Sequence, residues 1–291
     1  MYQPVFMYPR IVVSFAVCFY MQAAHLNFLL AQKIIRKDTV QVTVDNHKLS
    51  MYVSGTGKYT VVLEAGGSSN HRCYRTIDTA IAKITRVISY DRPGYLKSEK
   101  CEKTRDAITV AKELKEALSI AGYPPPYILV GWSLGGSFAR VFGGLYPADV
   151  AGLILIDPAP EEAYPRMEKE YPELLAEDSI YMKEALASTN RPGDREELIA
   201  FDASIQQAKL SDTAHTTPTT LLIAAYGKAS GSGEKDPANP INYIWVDELK
   251  KWAAKRPNLQ YTILENSGHH ISKEHPDIVM KAITDMIERL K

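Results

Sequence analysis

Five residues, Gly131-Trp132-Ser133-Leu134-Gly135, constrain this chain more than any other feature, because they sit where a strand pattern gives way to a helix pattern. Before them, Pro126-Tyr127-Ile128-Leu129-Val130 is short, β-branched and apolar. After them, Gly136-Ser137-Phe138-Ala139-Arg140-Val141-Phe142 carries apolar residues at helical spacing. A strand that enters a helix through so short a turn holds its central residue in a strained conformation and lifts that side chain clear of the sheet. Glycine is needed two positions to either side, since the strand and helix backbones pass too close for a side chain. G-x-S-x-G also arises by chance in loops. The strand before it, the helix after it and the third glycine, Gly136, set this one apart, and they mark Ser133 as a candidate nucleophile.

Length and composition permit an enzyme of one principal domain. A chain of 291 residues that is 45% hydrophobic can bury a large core. Lys+Arg and Asp+Glu are each 34, so no net field draws in nucleic acid or an acidic partner, and no basic cluster with interleaved aromatics appears. Three cysteines, Cys18, Cys73 and Cys101, form neither a metal-ligand spacing nor a disulfide framework. A Cys73–Cys101 pair stays open for an extracytoplasmic domain. There is no internal repeat, and the one low-complexity stretch is Ala229-Ser230-Gly231-Ser232-Gly233.

Residues 1–38 differ in character from the rest. Ile11 to Ala31 is strongly apolar, with Arg10 before it and Lys33, Arg36 and Lys37 after it. Gln22, His25 and Asn27 interrupt the run, so it departs from a clean span of ~20 apolar residues. Ile11 to Ala24 resembles a signal-peptide h-region, yet no A-x-A cleavage site follows, and bulky Val17 before Cys18 disfavours a lipoprotein site. The expectation is an export or anchoring segment, giving a membrane-associated or secreted protein; the alternative is a helix packed on a cytoplasmic domain. Basic residues on both flanks leave orientation undecided.

From about Thr39 to the end, residues 39–291, strands alternate with helices, which implies a mostly parallel sheet covered on both faces. Thr39–Asp45 and His47–Ser54 read as a hairpin around Asp45-Asn46. Later strands are Tyr59–Glu64, Arg86–Asp91, Gly152–Asp157, Thr219–Ala225 and Leu259–Leu264. Helices are expected near Tyr74–Ile84, over Asp106–Ala121 and over Pro276–Leu290. Between about 160 and 217 the pattern is helical and charged with no strand. It carries Tyr164, Tyr171, Leu174, Leu175, Tyr181, Leu186 and Phe201 among its charges, a mix that suits a helical lid with one face on the domain.

Over residues 39–291 this layout resembles the α/β-hydrolase fold. Beyond the elbow at Ser133, Ser89-Tyr90-Asp91-Arg92-Pro93-Gly94-Tyr95 is similar to the family's D-R-x-G-x segment after the fourth strand. Asn266-Ser267-Gly268-His269-His270, followed by Glu274-His275-Pro276, is similar to its histidine loop and final helix. Leu63-Glu64-Ala65-Gly66-Gly67 matches the oxyanion loop of a subgroup with Glu-Ala-Gly in place of His-Gly. The resemblance implies a mostly parallel eight-stranded sheet flanked by helices, with a helical lid inserted after the sixth strand.

A serine hydroxyl is a weak nucleophile until an imidazole takes its proton. Of seven histidines, His269 alone sits just after the last expected strand on a glycine-preceded loop; neighbouring His270 is the alternative. His47 and His275 read as structural or surface residues, and His71 lies near the oxyanion loop. The family template takes oxyanion donors from the backbone N–H of Leu134 and of Gly67. Asp91-Arg92 reads as structural. The orienting acid has two placements: Asp157 directly ends its strand, whereas Glu234 and Asp236 follow only after the Ala229–Gly233 loop, and Asp157 is preferred.

These residues imply a serine hydrolase of carboxylic esters acting through an acyl-enzyme on a small-molecule acyl substrate, with no metal or organic cofactor. Serine rather than aspartate at the elbow argues against the dehalogenase and epoxide hydrolase branches. Thioesters, peptides with an N-terminal proline and some carbon–carbon bonds remain open. An iminopeptidase would need lid carboxylates such as Glu161, Glu162 or Glu168 to hold the substrate amine. A non-catalytic binding protein on the same scaffold is the alternative of another class. Because residues 1–38 supply no triad or oxyanion group, a chain begun near Lys37 is expected to be soluble and to keep its turnover on a small ester. An inactive or misfolded truncation, beside a full-length chain found in the cytosol, makes the segment part of the domain.

Overall fold

A computed structural model describes residues 38–173, 176, 184, 187–189, 191–212, 217–225 and 240–291. The expectations placed on the N-terminal segment with Cys18, on Leu174, Leu175, Tyr181 and Leu186, and on Ala229–Gly233, Glu234 and Asp236 lie outside these residues. Among the described residues no helix is long and apolar enough to cross a membrane.

Eight strands form one sheet in the order β1-β2-β4-β3-β5-β6-β7-β8. Strands β1 (Asp38–Val44) and β2 (His47–Ser54) make the expected hairpin. Its turn residues Asp45 and Asn46 both take positive φ, 46° and 66°, as a two-residue turn matched to strand twist requires. Strand β2 also runs antiparallel to β4 (Arg86–Asp91). Every other pairing is parallel, through β3 (Thr60–Glu64), β5 (Tyr127–Trp132), β6 (Val150–Ile156), β7 (Thr219–Ala224) and β8 (Leu259–Leu264). The central strands β3 and β5 are buried along their whole length, which is why they read as unbroken apolar runs rather than as alternation.

Strand order explains where a site can form. Chain order moves from β3 outward to β4, then back past β3 to β5. Right-handed crossovers in opposite directions put their helices on opposite faces. The loops leaving β3 and β5 therefore part at the carboxyl ends of those strands, where open α/β sheets bind ligands. Helix α1 is the short turn Asp78–Ile81, followed by α2 (Ala107–Ile120), α3 (Leu134–Leu145) and, after β6, α4 (Ala163–Glu170), α5 (Pro192–Ile199) and α6 (Phe201–Leu210). The chain continues with α7 (Pro240–Ala254), the single turn α8 (Ile271–Glu274) and α9 (Pro276–Arg289). Helices α2, α3 and α6 pack together, and α9 packs with α1 and β6.

Two expectations need correction. The helix near Tyr74–Ile84 is a 3-10 turn at His71–Tyr74 and the one-turn α1, because Asn70 caps the first turn early and the chain must reach β4 at Arg86. Glu161, offered as a carboxylate that could hold a substrate amine, is instead buried in an ion pair with buried Arg140. Glu162 pairs with Lys209 at 2.6 Å, and Glu168 is exposed. Between β6 and β7 the described residues include helices and no strand, and Tyr164 meets Phe201 edge-on at 5.4 Å.

The elbow packs as tightly as its glycines require. A Cβ on Gly131 would stand 2.4 Å from the Gly135 carbonyl oxygen, and one on Gly135 would stand 2.4 Å from the carbonyl oxygens of both Glu64 and Ala65. These neighbours are backbone, so they cannot swing aside. Gly135→Ala is expected to destabilise the fold by about 3 kcal/mol through overpacking. That lowers Tm by roughly 6–12 °C for a domain of this size. Thermal unfolding followed by circular dichroism measures it.

Candidate active site

Register brings the predicted residues to one level. Trp132 pairs with Ile156 and Ile156 with Leu222, so Ser133 and Asp157 leave adjacent strands side by side. Ser133 has φ 55° and ψ −125°, a sparsely populated conformation that costs of order 1–3 kcal/mol and must be imposed by its surroundings. The imposing bonds run from the Ser133 N–H to the Ile156 carbonyl at 3.0 Å and from the Gly136 N–H to the Ser133 carbonyl at 2.9 Å. The side chain is half-buried at the mouth of the turn, with α3 starting at Leu134.

Asp157 is fully buried, and its backbone also takes positive φ, 43°. Its N–H donates to the Leu222 carbonyl at 2.7 Å, and its Oδ1 accepts from the Ala224 N–H at 3.1 Å. Oδ2 lies 2.6 Å from His269 Nδ1. A carboxylate only accepts, so Nδ1 carries the proton and Nε2 is the basic nitrogen of the ring. The end of β7, where a later acid could have been placed, thus holds the Asp157 carboxylate with its own backbone.

The histidine loop is docked on the elbow strand. Trp132, the residue before Ser133, donates its indole N–H to the His269 carbonyl at 2.8 Å. Its ring lies 5.2 Å from the imidazole of His269 and 4.5 Å from that of His270, and Trp245 stands edge-on to His269 at 6.0 Å. His269 keeps 19% side-chain exposure, enough to face a cleft while its partner is sealed away. His270 precedes α8 and packs on Trp132. On the other side of the elbow, a Cβ on Gly67 would be 3.2 Å from Leu134 Cδ2, so the loop after β3 lies against the first residue of α3. The first N–H groups of a helix have no acceptor within it, which leaves that of Leu134 to an outside group.

The other histidines separate by environment. His71 stacks on Tyr52 at 3.7 Å and binds Asp91 Oδ1 through Nδ1 at 2.7 Å; Tyr52 donates to Asp91 Oδ2 at 2.7 Å. His275 sits near the surface with Nε2 3.3 Å from the Asn266 carbonyl. His47, Cys101 and Glu113 gather with ligand atoms within 4.8 Å of one another, as a metal site would. Arg105 already serves that cluster, with Nη1 2.8 Å from the Cys101 sulfur and 2.9 Å from Glu113, so the negative charge is met without an ion. Cys73 and Cys101 are free thiols in separate settings. Burial pushes the Cys73 thiol up to about 12, which leaves it protonated and no rival to a serine nucleophile at neutral pH.

Sequence reading missed the side chains that fasten this arrangement. Arg92 is buried between Glu64 and Glu197, at 2.8 Å and 2.5 Å, and Tyr90 donates to Glu64 at 2.5 Å. Burial, opposed by Arg92 and by the Tyr90 hydrogen bond, leaves the Glu64 carboxyl above the usual carboxylate range. Burial works against the Arg92 charge, and the two carboxylates overcome it and hold the guanidinium protonated. The Glu-Ala of the oxyanion loop was a visible signal for a buried acid. Nothing local marked Glu197, which lies on α5 more than a hundred residues along the chain.

Fold and site together define a protein of the α/β-hydrolase class. Residues 61–282 match the Alpha/beta hydrolase family, and the chain belongs to it. An uncharacterized Bacillus subtilis protein, YbdG, is 33% identical over 42% of this chain, a stretch that spans only 38% of YbdG. The 2-hydroxy-6-oxononadienedioate/2-hydroxy-6-oxononatrienedioate hydrolase of Comamonas testosteroni is 26% identical over 84% of this chain and 92% of its own length. Among solved structures, a thermophilic esterase from Thermogutta terrifontis superposes with a TM-score of 0.61 over 87% of this chain and 99% of that one. At 20% identity this is a likeness of fold.

Proposed function

We propose that this hydrolase-family protein is a serine hydrolase of carboxylic esters that works through an acyl-enzyme. The observation that carries the reading is the Asp157–His269 contact at 2.6 Å on a loop bonded to the residue preceding Ser133. His269 Nε2 takes the Ser133 proton as Oγ attacks the ester carbonyl. The tetrahedral oxyanion accepts from the N–H groups of Leu134 and Gly67. The alcohol then leaves with the proton from His269, and the acyl group stays on Ser133. Water attacks that ester with the same base, releasing the acid and the free serine. Asp157 orients the imidazole and stabilises its charge without itself taking the proton.

An iminopeptidase needs uncommitted acids to grip an amine. Glu161 is tied to Arg140 and Glu162 to Lys209, which leaves exposed Glu168 alone of the three and favours ester over peptide. The hydrolase name of the Comamonas relative and the esterase name of the Thermogutta fold neighbour agree with hydrolysis as the reaction class. A non-catalytic scaffold would have no need of the Ser133 conformation or of a buried acid on His269. Residues 1–38 are proposed as an export or anchoring element outside the chemistry, and the helical segment after β6 as the lid.

Labelling by a fluorophosphonate probe is expected for the wild-type chain and not for Ser133→Ala. Asp157→Asn is expected to cut turnover of a p-nitrophenyl ester by up to ~10⁴ at neutral pH, because the amide favours the wrong tautomer. If Asp157→Asn stays within a few-fold of wild type and Asp236→Asn collapses, the acid lies on the later loop.

The half-buried Tyr164, Tyr171 and Phe201 on the inserted segment favour a small or medium apolar acyl or alcohol group. In a chain-length series of p-nitrophenyl esters, short apolar substrates are expected to turn over fastest. Faster turnover of charged or very long esters rules this preference out.

A further inference from the structure

Arg92 has no part in the steps above, yet it is among the largest fully buried side chains and all five of its N–H groups are engaged. Its Nη1 donates to the carbonyl of Ala65 at 2.8 Å and to Glu64 at 2.8 Å. Its Nη2 donates to the carbonyl of Gly66 at 2.7 Å, with Ser69 O at 3.4 Å and Glu197 Oε2 at 3.0 Å close by. Its Nε donates to Glu197 Oε1 at 2.5 Å. Three of these acceptors are main-chain carbonyls of the loop after β3. An arginine that only balanced buried acids would have no reason to hold them.

Peptide geometry gives those contacts a consequence. In a trans peptide the C=O and N–H bonds point in opposite directions. Drawing the Gly66 carbonyl inward to Arg92 therefore turns the Gly67 N–H away from the guanidinium. The next peptide is held as well, because the Ser68 N–H donates to Glu197 Oε2 at 3.2 Å. Both peptide planes that flank Gly67 are thus held by this ion pair, with the Ser69 N–H adding a 3.3 Å bond to the Gly66 carbonyl. Gly67, as glycine, would otherwise sample far more orientations than any other residue.

Glu197 reaches this loop from α5, within the segment inserted between β6 and β7. It also accepts from the Tyr95 hydroxyl at 2.9 Å. Its carboxylate accepts four hydrogen bonds, one at Oε1 and three at Oε2, so it is held from several sides at once. Helix α5 approaches so closely that a Cβ on Gly193 would stand 2.4 Å from the Tyr95 ring. On the opposite side the guanidinium lies 5.1 Å from the ring of Phe138, four residues beyond Leu134 on α3.

We propose that Arg92 is a positioning residue that aims the Gly67 N–H at the oxyanion, and that Glu197 holds Arg92 in that posture, so the inserted segment completes the oxyanion hole. This rests on the serine-hydrolase reading of the site. The lid then does more than choose substrate. Docking of α5 on the sheet domain becomes a condition for transition-state stabilisation, whatever the substrate.

The test uses Arg92→Lys and Glu197→Gln in the full chain, with p-nitrophenyl acetate as substrate. Lysine offers three donors in the wrong directions, and glutamine turns an amide N–H₂ toward groups that also donate. Loss of one aimed oxyanion donor is expected to lower kcat by about 10²–10³-fold. KM should stay within about threefold, since ground-state binding is untouched. A trifluoromethyl ketone, which mimics the tetrahedral state, should weaken by the same factor as kcat, while a competitive product acid binds as before.

Circular dichroism and thermal unfolding establish that each variant is folded. Should either fail to fold, Tyr95→Phe removes only one hydroxyl from Glu197 and is read the same way, with kcat down about three- to tenfold, the equivalent of one ordinary hydrogen bond, since the other three bonds to Glu197 remain. Folded variants whose kcat and ketone affinity stay within twofold of wild type overturn the proposal, leaving Arg92 as packing alone. Failure of the underlying reading looks different: the wild type itself takes no fluorophosphonate label, or Ser133→Ala retains activity.

Discussion

One buried guanidinium sets the frame of this structure. Taking Arg92 out of water costs several kcal/mol, and such a charge persists in a protein interior only when acids and acceptors surround it. Here they come from Glu64 at the end of β3, from the main chain of the following loop and from Glu197 on the inserted helix. Removing any one of them would strand the rest. The central sheet, the glycine loop and the inserted helices are consequently parts of one electrostatic unit, although the chain visits them at widely separated points.

Around that unit the sheet topology supplies the opening. The order reversal at β3 parts two loops, and the parallel register then lines up the residues that follow β5 and β6. Strain is concentrated where chemistry is proposed. Ser133, Asp157 and Ser68 are non-glycine residues at positive φ, and each is pinned by hydrogen bonds to neighbours that cannot move independently. Large buried surfaces on β3, β5 and β6 offset these local costs.

What the sequence disclosed follows the range of the interactions involved. Strands β3, β5 and β6 announce themselves because near-complete burial demands apolar runs, and the elbow because its glycines answer a steric contact within a few residues. Asp157 drew notice from its place directly after β6, and it lies 2.6 Å from His269. The one-turn α1 was over-extended to a full helix, since its apolar residues serve a short connection packed against α9. Arg140–Glu161 and Arg92–Glu197 were invisible for a different reason. A charge on a helix reads as solvent-facing unless its partner is known, and both partners arrive from remote segments.

The bond from the Trp132 indole to the His269 backbone has a dynamic meaning as well as a static one. Ser133 follows Trp132 directly, so the loop that carries the proposed base is tied by one hydrogen bond to the residue beside the proposed nucleophile. Breathing of the sheet or of the helices around it carries both together. A shift of the elbow strand is thereby transmitted to the histidine loop, which makes the Trp132 indole a mechanical link between two segments far apart in the chain.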